Sequence, residues 1–431
     1  MLSDRLHPTS QHLARVYQLR LDFEILNVRD ALAVLAKPYK QLRGIDLRAR
    51  FLQPDGLLRR NRRRGCAEEK FERGEQVSRA RLPGGGGGGG GGKWGFLHKT
   101  AVSDLFERIV AIENLLLAWE RFRKGKCGRE DVMVFERRLE DNLFAIRDEL
   151  LSGTYRHGRY EPFTVNDPKQ RIIHKAGVKD RVVHQAIVNV IEPLFEGRFI
   201  FDSYSCRVGK GTHRAVRRLR TFLRQASLNG TRTVYAVKCD VRKFFASVNH
   251  VALLELLAKR IEDAETMRLL RNIIGSFSVS SGTGIPLGNL TSQLFANVYL
   301  HELDWFVKQK LRIGYYVRYC DDFVMLAFSK AEGLALAEQT DAFLQSHLKV
   351  QLHPNKVHVR TWTQGVDFLG YILLPDAIVL RPMTTRRAIR RATVENVSSY
   401  LGLCVHADAY ELGRDIRNRT GLVSRCKARA H

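Results

Sequence analysis

Tyr315-Tyr316-Val317-Arg318-Tyr319-Cys320-Asp321-Asp322-Phe323-Val324-Met325-Leu326 sets two adjacent acids between two runs of aromatic, β-branched and aliphatic residues. This pattern predicts two strands joined by a tight turn, with the acids at the turn. Taken alone, an Asp-Asp pair is the ordinary chemistry of a solvated surface turn. A further acid changes that reading: Asp240 ends another β-rich run, Thr233-Val234-Tyr235-Ala236-Val237-Lys238-Cys239. Three carboxylates at the ends of neighbouring strands repel one another unless cations neutralise them. Mg2+ suits such a cluster, because it takes a few carboxylates, water and substrate phosphates rather than an all-protein cage. Two such ions about 4 Å apart activate an attacking hydroxyl and stabilise the leaving oxygen of an in-line phosphoryl transfer.

The rest of the composition fits a phosphate-handling protein. The 431 residues leave room for two to four domains and exclude a peptide hormone or a bare binding motif. With 71 Lys and Arg against 45 Asp and Glu, the formal charge is +26, and 44% of the residues are hydrophobic. That is a basic globular chain, and its first expected partner is a nucleic acid. Seven cysteines (Cys66, Cys127, Cys206, Cys239, Cys320, Cys404, Cys426) are scattered without a C-x-x-C pair, which excludes a disulfide framework and a zinc knuckle. No stretch reaches the ~18 apolar residues of a membrane span, and MLSDRLHPTSQHLARVYQ at the start lacks a signal-peptide apolar region. A cytoplasmic protein with no membrane partner is expected.

Nine consecutive glycines, Gly84 to Gly92, mark a flexible boundary, since glycine loses most backbone entropy on ordering. Residues 1–93 carry +9 and the other 338 carry +17, so the basic excess belongs to both parts. Val16 to Leu42 has helical spacing, whereas Leu47 to Leu82 is Arg-rich and weakly patterned. We assign residues 1–93 no function. A disordered tail, or a start codon set too far upstream, is preferred over a nucleic-acid-binding arm.

From Trp94 the patterning is that of a folded enzyme. Leu105 to Leu117 and Val132 to Leu151 have apolar residues at helical spacing, which gives a helical lead-in. Arg171 to Leu194 reads as a short β-branched strand followed by a long amphipathic helix. Strands recur at Thr233 to Val237, Tyr315 to Tyr319, Phe323 to Phe328 and Val357 to Trp362, with helices between them. The fold class is α+β.

With the blocks taken together, the chain from about Lys99 to Tyr400 resembles a reverse transcriptase. Tyr319-Cys320-Asp321-Asp322 resembles that family's Y-x-D-D hairpin, and Asp240-Val241-Arg242-Lys243-Phe244-Phe245 resembles its first palm motif. The resemblance implies a right-hand polymerase of fingers, palm and thumb. In it Asp240, Asp321 and Asp322, with the backbone carbonyl of Val241, hold two Mg2+. It also implies that Phe245 lies under the sugar and excludes a 2′-hydroxyl, while Phe244 is a core residue. Gly284-Ile285-Pro286-Leu287-Gly288-Asn289-Leu290-Thr291-Ser292-Gln293 resembles the block that touches the templating base and the incoming nucleotide, through Gly288, Ser292 and Gln293. Ser292-Gln293 and Ser203 to Val216 are similar to the reverse transcriptases of diversity-generating retroelements, where most intron-related enzymes have Gln-Gly.

Basic residues complete the expected site. Lys169, Arg171, Lys175, Lys179 and Arg181 lie around the first short strand, and family position implies triphosphate contacts from Arg171 and Arg181. Arg207, Lys210 and Arg214 are assigned to template or primer phosphates. Lys356, in Leu352-His353-Pro354-Asn355-Lys356, is assigned to the nucleotide's phosphates, and Leu369-Gly370 resembles a primer grip. Five arginines between Arg381 and Arg391 suit a thumb that tracks a duplex by its phosphates.

The expected division is a basic segment over 1–93, fingers and palm over 94–375, and a helical basic thumb over 376–431. The expected function is RNA-directed DNA synthesis with an RNA template, a DNA or RNA primer and dNTPs. By resemblance, a small basic accessory protein assists a retroelement that copies adenines with errors. The alternatives are the reverse transcriptase of a group II intron, a retron or a phage-defence system, and a non-catalytic RNA-binding protein.

Overall fold

The computed structural model describes residues 104–166 and 169–421. The expected basic segment 1–93 with its glycine run, Cys66 and Cys426 lie outside the described residues. Four helices open the described part: Leu105–Val110 (α1), Ile112–Arg123 (α2), Glu130–Glu136 (α3) and Leu139–Leu151 (α4). The spacing predicts two helices here, and each is broken once, at Ala111 (ψ 133°) and at Arg137-Arg138. Asn114 covers the first break, its Nδ2 donating to the carbonyls of Ile109 and Ala186 at 3.0 Å each. Periodicity reports only which face is apolar, and the apolar face continues across both breaks.

A two-stranded ribbon follows, Glu161–Val165 (β1) against Arg171–Lys175 (β2), and feeds the helix Val178–Glu196 (α5). Val182, Val183, Ala186, Ile187 and Ile191 of α5 are buried against α2. Next come Thr212–Ala226 (α6), the strand Tyr235–Asp240 (β3), and the helices Phe244–Ser247 (α7), His250–Ala258 (α8), Ala264–Gly275 (α9) and Leu290–Trp305 (α10). Tyr316–Tyr319 (β4) and Asp322–Ala327 (β5) form the expected hairpin, followed by Lys330–Leu348 (α11) and His358–Thr361 (β6).

These four strands make one antiparallel sheet, in the order β4-β5-β3-β6. Its two faces belong to two cores. Val237, Cys239, Tyr316, Phe323 and Met325 point into the larger one, shared with α5, α10 and α11. Ala236, Val317, Val324 and Leu326 point into the smaller one, shared with α6 and the C-terminal elements. A sheet covered on both faces reads as unbroken apolar runs, which is why these strands were visible in the sequence. Gly333 sets the depth of α11 on the sheet. A Cβ there would stand 2.9 Å from Val359 Cγ1 and 3.0 Å from Val237 Cγ2.

A three-stranded sheet comes next, Val366–Phe368 (β7), Tyr371–Leu373 (β8) and Ile378–Leu380 (β9), then helices Pro382–Arg391 (α12), Val397–Cys404 (α13) and Tyr410–Arg419 (α14). The expected boundary at 375/376 therefore needs correction. It would cut β9 from the strand it bonds to, and the helical part begins at Pro382. No helix among the described residues is long and apolar enough to cross a membrane.

Candidate active site

Register brings the three acids together. Asp240, the last residue of β3, lies opposite Asp322, the first of β5, and Asp322 also faces Tyr319 across the hairpin. The two-residue loop is Cys320-Asp321, with Cys320 in left-handed backbone (φ 56°). A positive φ at the first central position is the geometry that matches a hairpin's twist. Val241 N donates to the Asp321 carbonyl at 3.1 Å and closes the loop onto β3.

The electrostatics are those of a site short of positive charge. Burial, then the like charge of Asp240, raises the Asp321 carboxyl above the usual carboxylate range. Burial pushes Asp322 up to about 7, with Lys238 opposing and the neighbouring acids adding to the rise. Asp322 Oδ1 is buried with no hydrogen-bond partner, and Oδ2 has only Lys238 Nζ at 3.7 Å. An orphaned carboxylate oxygen beside two further acids fits a hard divalent cation. Among the described residues no three His, Cys, Asp or Glu side chains form a preformed metal cluster, so water and substrate oxygens would have to complete the shell.

A buried strut holds the loop. Arg318 Nε and Nη2 donate to Asp304 of α10 at 2.6 Å each, and both side chains are 0% exposed. Tyr316 OH donates to the same carboxylate at 2.8 Å, and Arg318 Nη1 donates to the Cys320 carbonyl at 3.1 Å. The acidic loop is thereby tied to the core through one guanidinium.

Around this centre the expected residues divide. Lys356 Nζ stands 2.6 Å from Asp240 Oδ1, because His353 N donates to the Asp240 carbonyl at 2.8 Å and staples that loop across the strand end. Phe245 is half-buried, with its carbonyl accepting from Ile285 N at 2.7 Å, while Phe244 is in the core. The same loop holds the fingers ribbon. His174 N donates to the Leu287 carbonyl at 3.0 Å, and Asn289 Nδ2 to the His174 carbonyl at 2.9 Å. Arg171, at the start of β2, is exposed, and its charge reaches Asp321. Gly288 turns the loop at φ 102°, and Gln293 is half-buried. Leu369 (φ 52°) and Gly370 (φ 91°) form the turn between β7 and β8.

Other assignments need correction. Arg207 is 6% exposed, bound to Glu196 at 2.8 Å and to the carbonyls of Ile200 and Ser203, so its donors serve the fold rather than a template phosphate. Lys210, by contrast, lies over the Phe201 ring and donates to the Phe201 carbonyl at 2.7 Å, one bond that leaves its ammonium two donors. Arg181 is 15% exposed, bound to Asp131 of α3 at 2.8 Å and stacked on Phe122, which ties α5 to the lead-in. Ser292 is 1% exposed and lines the inside of α10, so its hydroxyl does not face a template.

Lys238, Arg360 and Asp367 were missed beside the acids, and Arg381 was read only as a thumb cation. A cavity of about 250 Å3 beside the acids is lined by Lys238, Asp240, Asp322, Lys356, Asp367 and Arg381, among others. Lys238 Nζ lies between Asp322 (3.7 Å) and Asp367 (3.9 Å), and Arg381 Nε donates to Asp367 at 3.0 Å. This ion network runs from an acid of the hairpin through the β7 strand to the first residue before α12. Lys238 had a legible signal, being two residues before Asp240 and so on the same face of the strand. Arg360 lines the same cavity.

Residues 166–373 match the family model described as reverse transcriptase (RNA-dependent DNA polymerase). The chain is similar to protein YkfC of Escherichia coli, 27% identical over 281 residues that cover 56% of this chain and 73% of that protein. It is also similar to the group II intron-encoded protein LtrA of Lactococcus lactis, 24% identical over 320 residues that cover 58% of this chain and 52% of that one, about half its length. A telomerase structure from Candida albicans superposes with a TM-score of 0.40 at 10% identity over 61% of this chain and 55% of that one. Residues 166–373 form a reverse transcriptase domain, the domain of an RNA-directed DNA polymerase, in an α+β right-hand fold.

Proposed function

We propose that this reverse transcriptase domain copies an RNA template into cDNA by two-metal nucleotidyl transfer. One observation carries the reading: Asp240 lies opposite Asp322 across β3 and β5, Asp321 stands beside them in the hairpin loop, and one buried Asp322 oxygen is left without a partner. Asp240, Asp321, Asp322 and the Val241 carbonyl would hold two Mg2+, which supply activation of the primer hydroxyl and stabilisation of the leaving oxygen. The primer 3′-hydroxyl attacks the α-phosphate of a dNTP, and pyrophosphate leaves. Lys356 and Arg171 balance triphosphate charge, and the Leu369-Gly370 turn presents backbone to the primer end. RNA template, primer and dNTPs are the substrates.

Primer extension on an RNA template with Mg2+ tests this. Wild type is expected to make cDNA, and Asp321→Ala/Asp322→Ala to make none. Equal, background-level synthesis by both would remove the enzyme reading. Phe245→Ala is expected to raise ribonucleotide incorporation about tenfold, the order of effect of removing one steric element from a pocket. An unchanged dNTP preference would take the sugar-gate role from Phe245.

We further propose that the enzyme serves a diversity-generating retroelement, aided by a small basic accessory protein. The support is the segment Gly288 to Gln293, with Ser292-Gln293 at its end. The similarity to LtrA favours a second reading, an intron-type reverse transcriptase. Sequencing cDNA made from a defined RNA separates the two, since errors concentrated at template adenines belong to the first.

A further inference from the structure

A second cavity, of about 410 Å3, shares no lining residue with the one beside the acids. Its charged residues are Arg242, Lys243 and Lys349, and Ser247, Gln345 and Gln351 add neutral hydrogen-bonding groups. No acid lines it. The three cations are exposed, and among the described residues no carboxylate pairs with any of them. Elsewhere, Lys238, Lys356, Arg207 and Arg381 each stand against a carboxylate.

The backbone gives a second, independent observation. Lys243 (φ 45°, ψ 40°) and Lys349 (φ 54°, ψ 27°) both sit in the left-handed region. That conformation costs any residue with a Cβ, and at a helix C-terminus it is ordinarily given to glycine. Two of the few such residues in the described chain are lysines at one cavity. Strain kept at a cluster of unpaired charge points to use of that charge. The two halves of the cavity are tied together, Arg242 N donating to the Gln351 carbonyl at 2.9 Å. Lys349 Nζ donates to the Ser346 carbonyl at 2.7 Å, a bond to the end of its own helix that still leaves the ammonium two donors.

We propose that Arg242, Lys243 and Lys349 form a second RNA-backbone site, which holds template phosphates outside the carboxylate cleft. Closely set cations without acids, open to solvent, bind phosphates without reading sequence. The site rests on the reading of this domain as one that copies RNA, and it starts two residues after Asp240, so RNA held there stays near the site of synthesis.

The test uses the full chain, a fluorescein-labelled oligouridylate, and anisotropy over a range of salt. Arg242→Gln/Lys243→Gly/Lys349→Gly is expected to weaken binding about tenfold and to lower the slope of log K against log salt by about 2, three lost phosphate contacts on a single strand. The same variant is expected to melt a few degrees higher, because glycine relieves both left-handed positions. Lower affinity with higher stability is a split that a merely structural role does not give. Wild-type affinity and slope in the variant would overturn the proposal and leave the cavity to a ligand of another class. Ultraviolet crosslinking of the same RNA to the wild-type protein decides should the variant not fold. Crosslinks to Arg242, Lys243 or Ser247 together with crosslinks within 345–351 support the site, and crosslinks only elsewhere overturn it. Extension of a short annealed primer–template by wild type runs alongside, so that failure of the polymerase reading is seen separately.

Discussion

Arg318→Met is expected to cost about 3–5 kcal/mol of stability, because it leaves the fully buried Asp304 carboxylate with no cationic partner. The loss shows as a large fall in melting temperature or as insoluble protein. Replacing the whole polar group tells more. In Arg318→Met/Asp304→Leu/Tyr316→Phe no buried charge remains and the Tyr316 hydroxyl that bonded Asp304 is gone, so stability should return to within about 1–2 kcal/mol of wild type. Synthesis should not return with it. Arg318 Nη1 also holds the Cys320 carbonyl, the backbone of the loop that carries Asp321, and methionine offers that carbonyl nothing. Displacement of a catalytic group by about 1 Å costs on the order of 100-fold in rate, so the triple variant should be folded and slow by about that factor. A triple variant that is both folded and fully active would show that the ion pair serves the core alone.

The strut illustrates where sequence reading stopped. The hairpin and Asp240 were legible because strand ends, β-branched runs and acids mark themselves locally, and because both faces of the central sheet are buried. Arg318 sat in plain view inside an apolar run, yet its partner is on α10, and nothing local names Asp304. Arg207 failed in the opposite way. It was grouped with Lys210 and Arg214 as a cation for template or primer phosphates, whereas Glu196, 11 residues earlier, takes up its guanidinium. Ser292 lies on a helix whose polar and apolar residues are mixed, so its inward face was not readable from spacing. Asp367 is on a strand of three residues, Val366–Phe368, too short to show a period. The helix breaks at Ala111 and Arg137-Arg138 were hidden because apolar spacing runs through them.

Asp322→Asn is expected to abolish synthesis while making the protein more stable. Its carboxyl has a folded pKa of about 7 against the usual value near 3.8, chiefly because it is buried. A raised folded pKa means that the folded state holds the proton more tightly. That contribution is complete below about pH 4 and is lost as the pH rises through 7, so at pH 8 the fold carries an ionised, poorly partnered carboxylate. Asparagine imitates the protonated form at every pH. Since the Asp322 side chain is 21% exposed, solvent screens part of the penalty, and the variant should gain only about 1–2 kcal/mol at pH 8 and little at pH 4. Activity should fall by about 1000-fold or more, roughly 4 kcal/mol of lost transition-state stabilisation, because a neutral amide cannot replace the carboxylate that would hold a divalent cation in the proposed reaction. A readout apart from activity separates this from misfolding. Mg2+ bound only by the folded state raises the wild-type melting temperature at pH 8 by mass action, and the shift should shrink in Asp322→Asn. Equal Mg2+ shifts in both proteins would take Asp322 out of the metal-holding set. A variant that is less stable at pH 8 would mean that the Lys238 ion pair outweighs the cost of burying the charge.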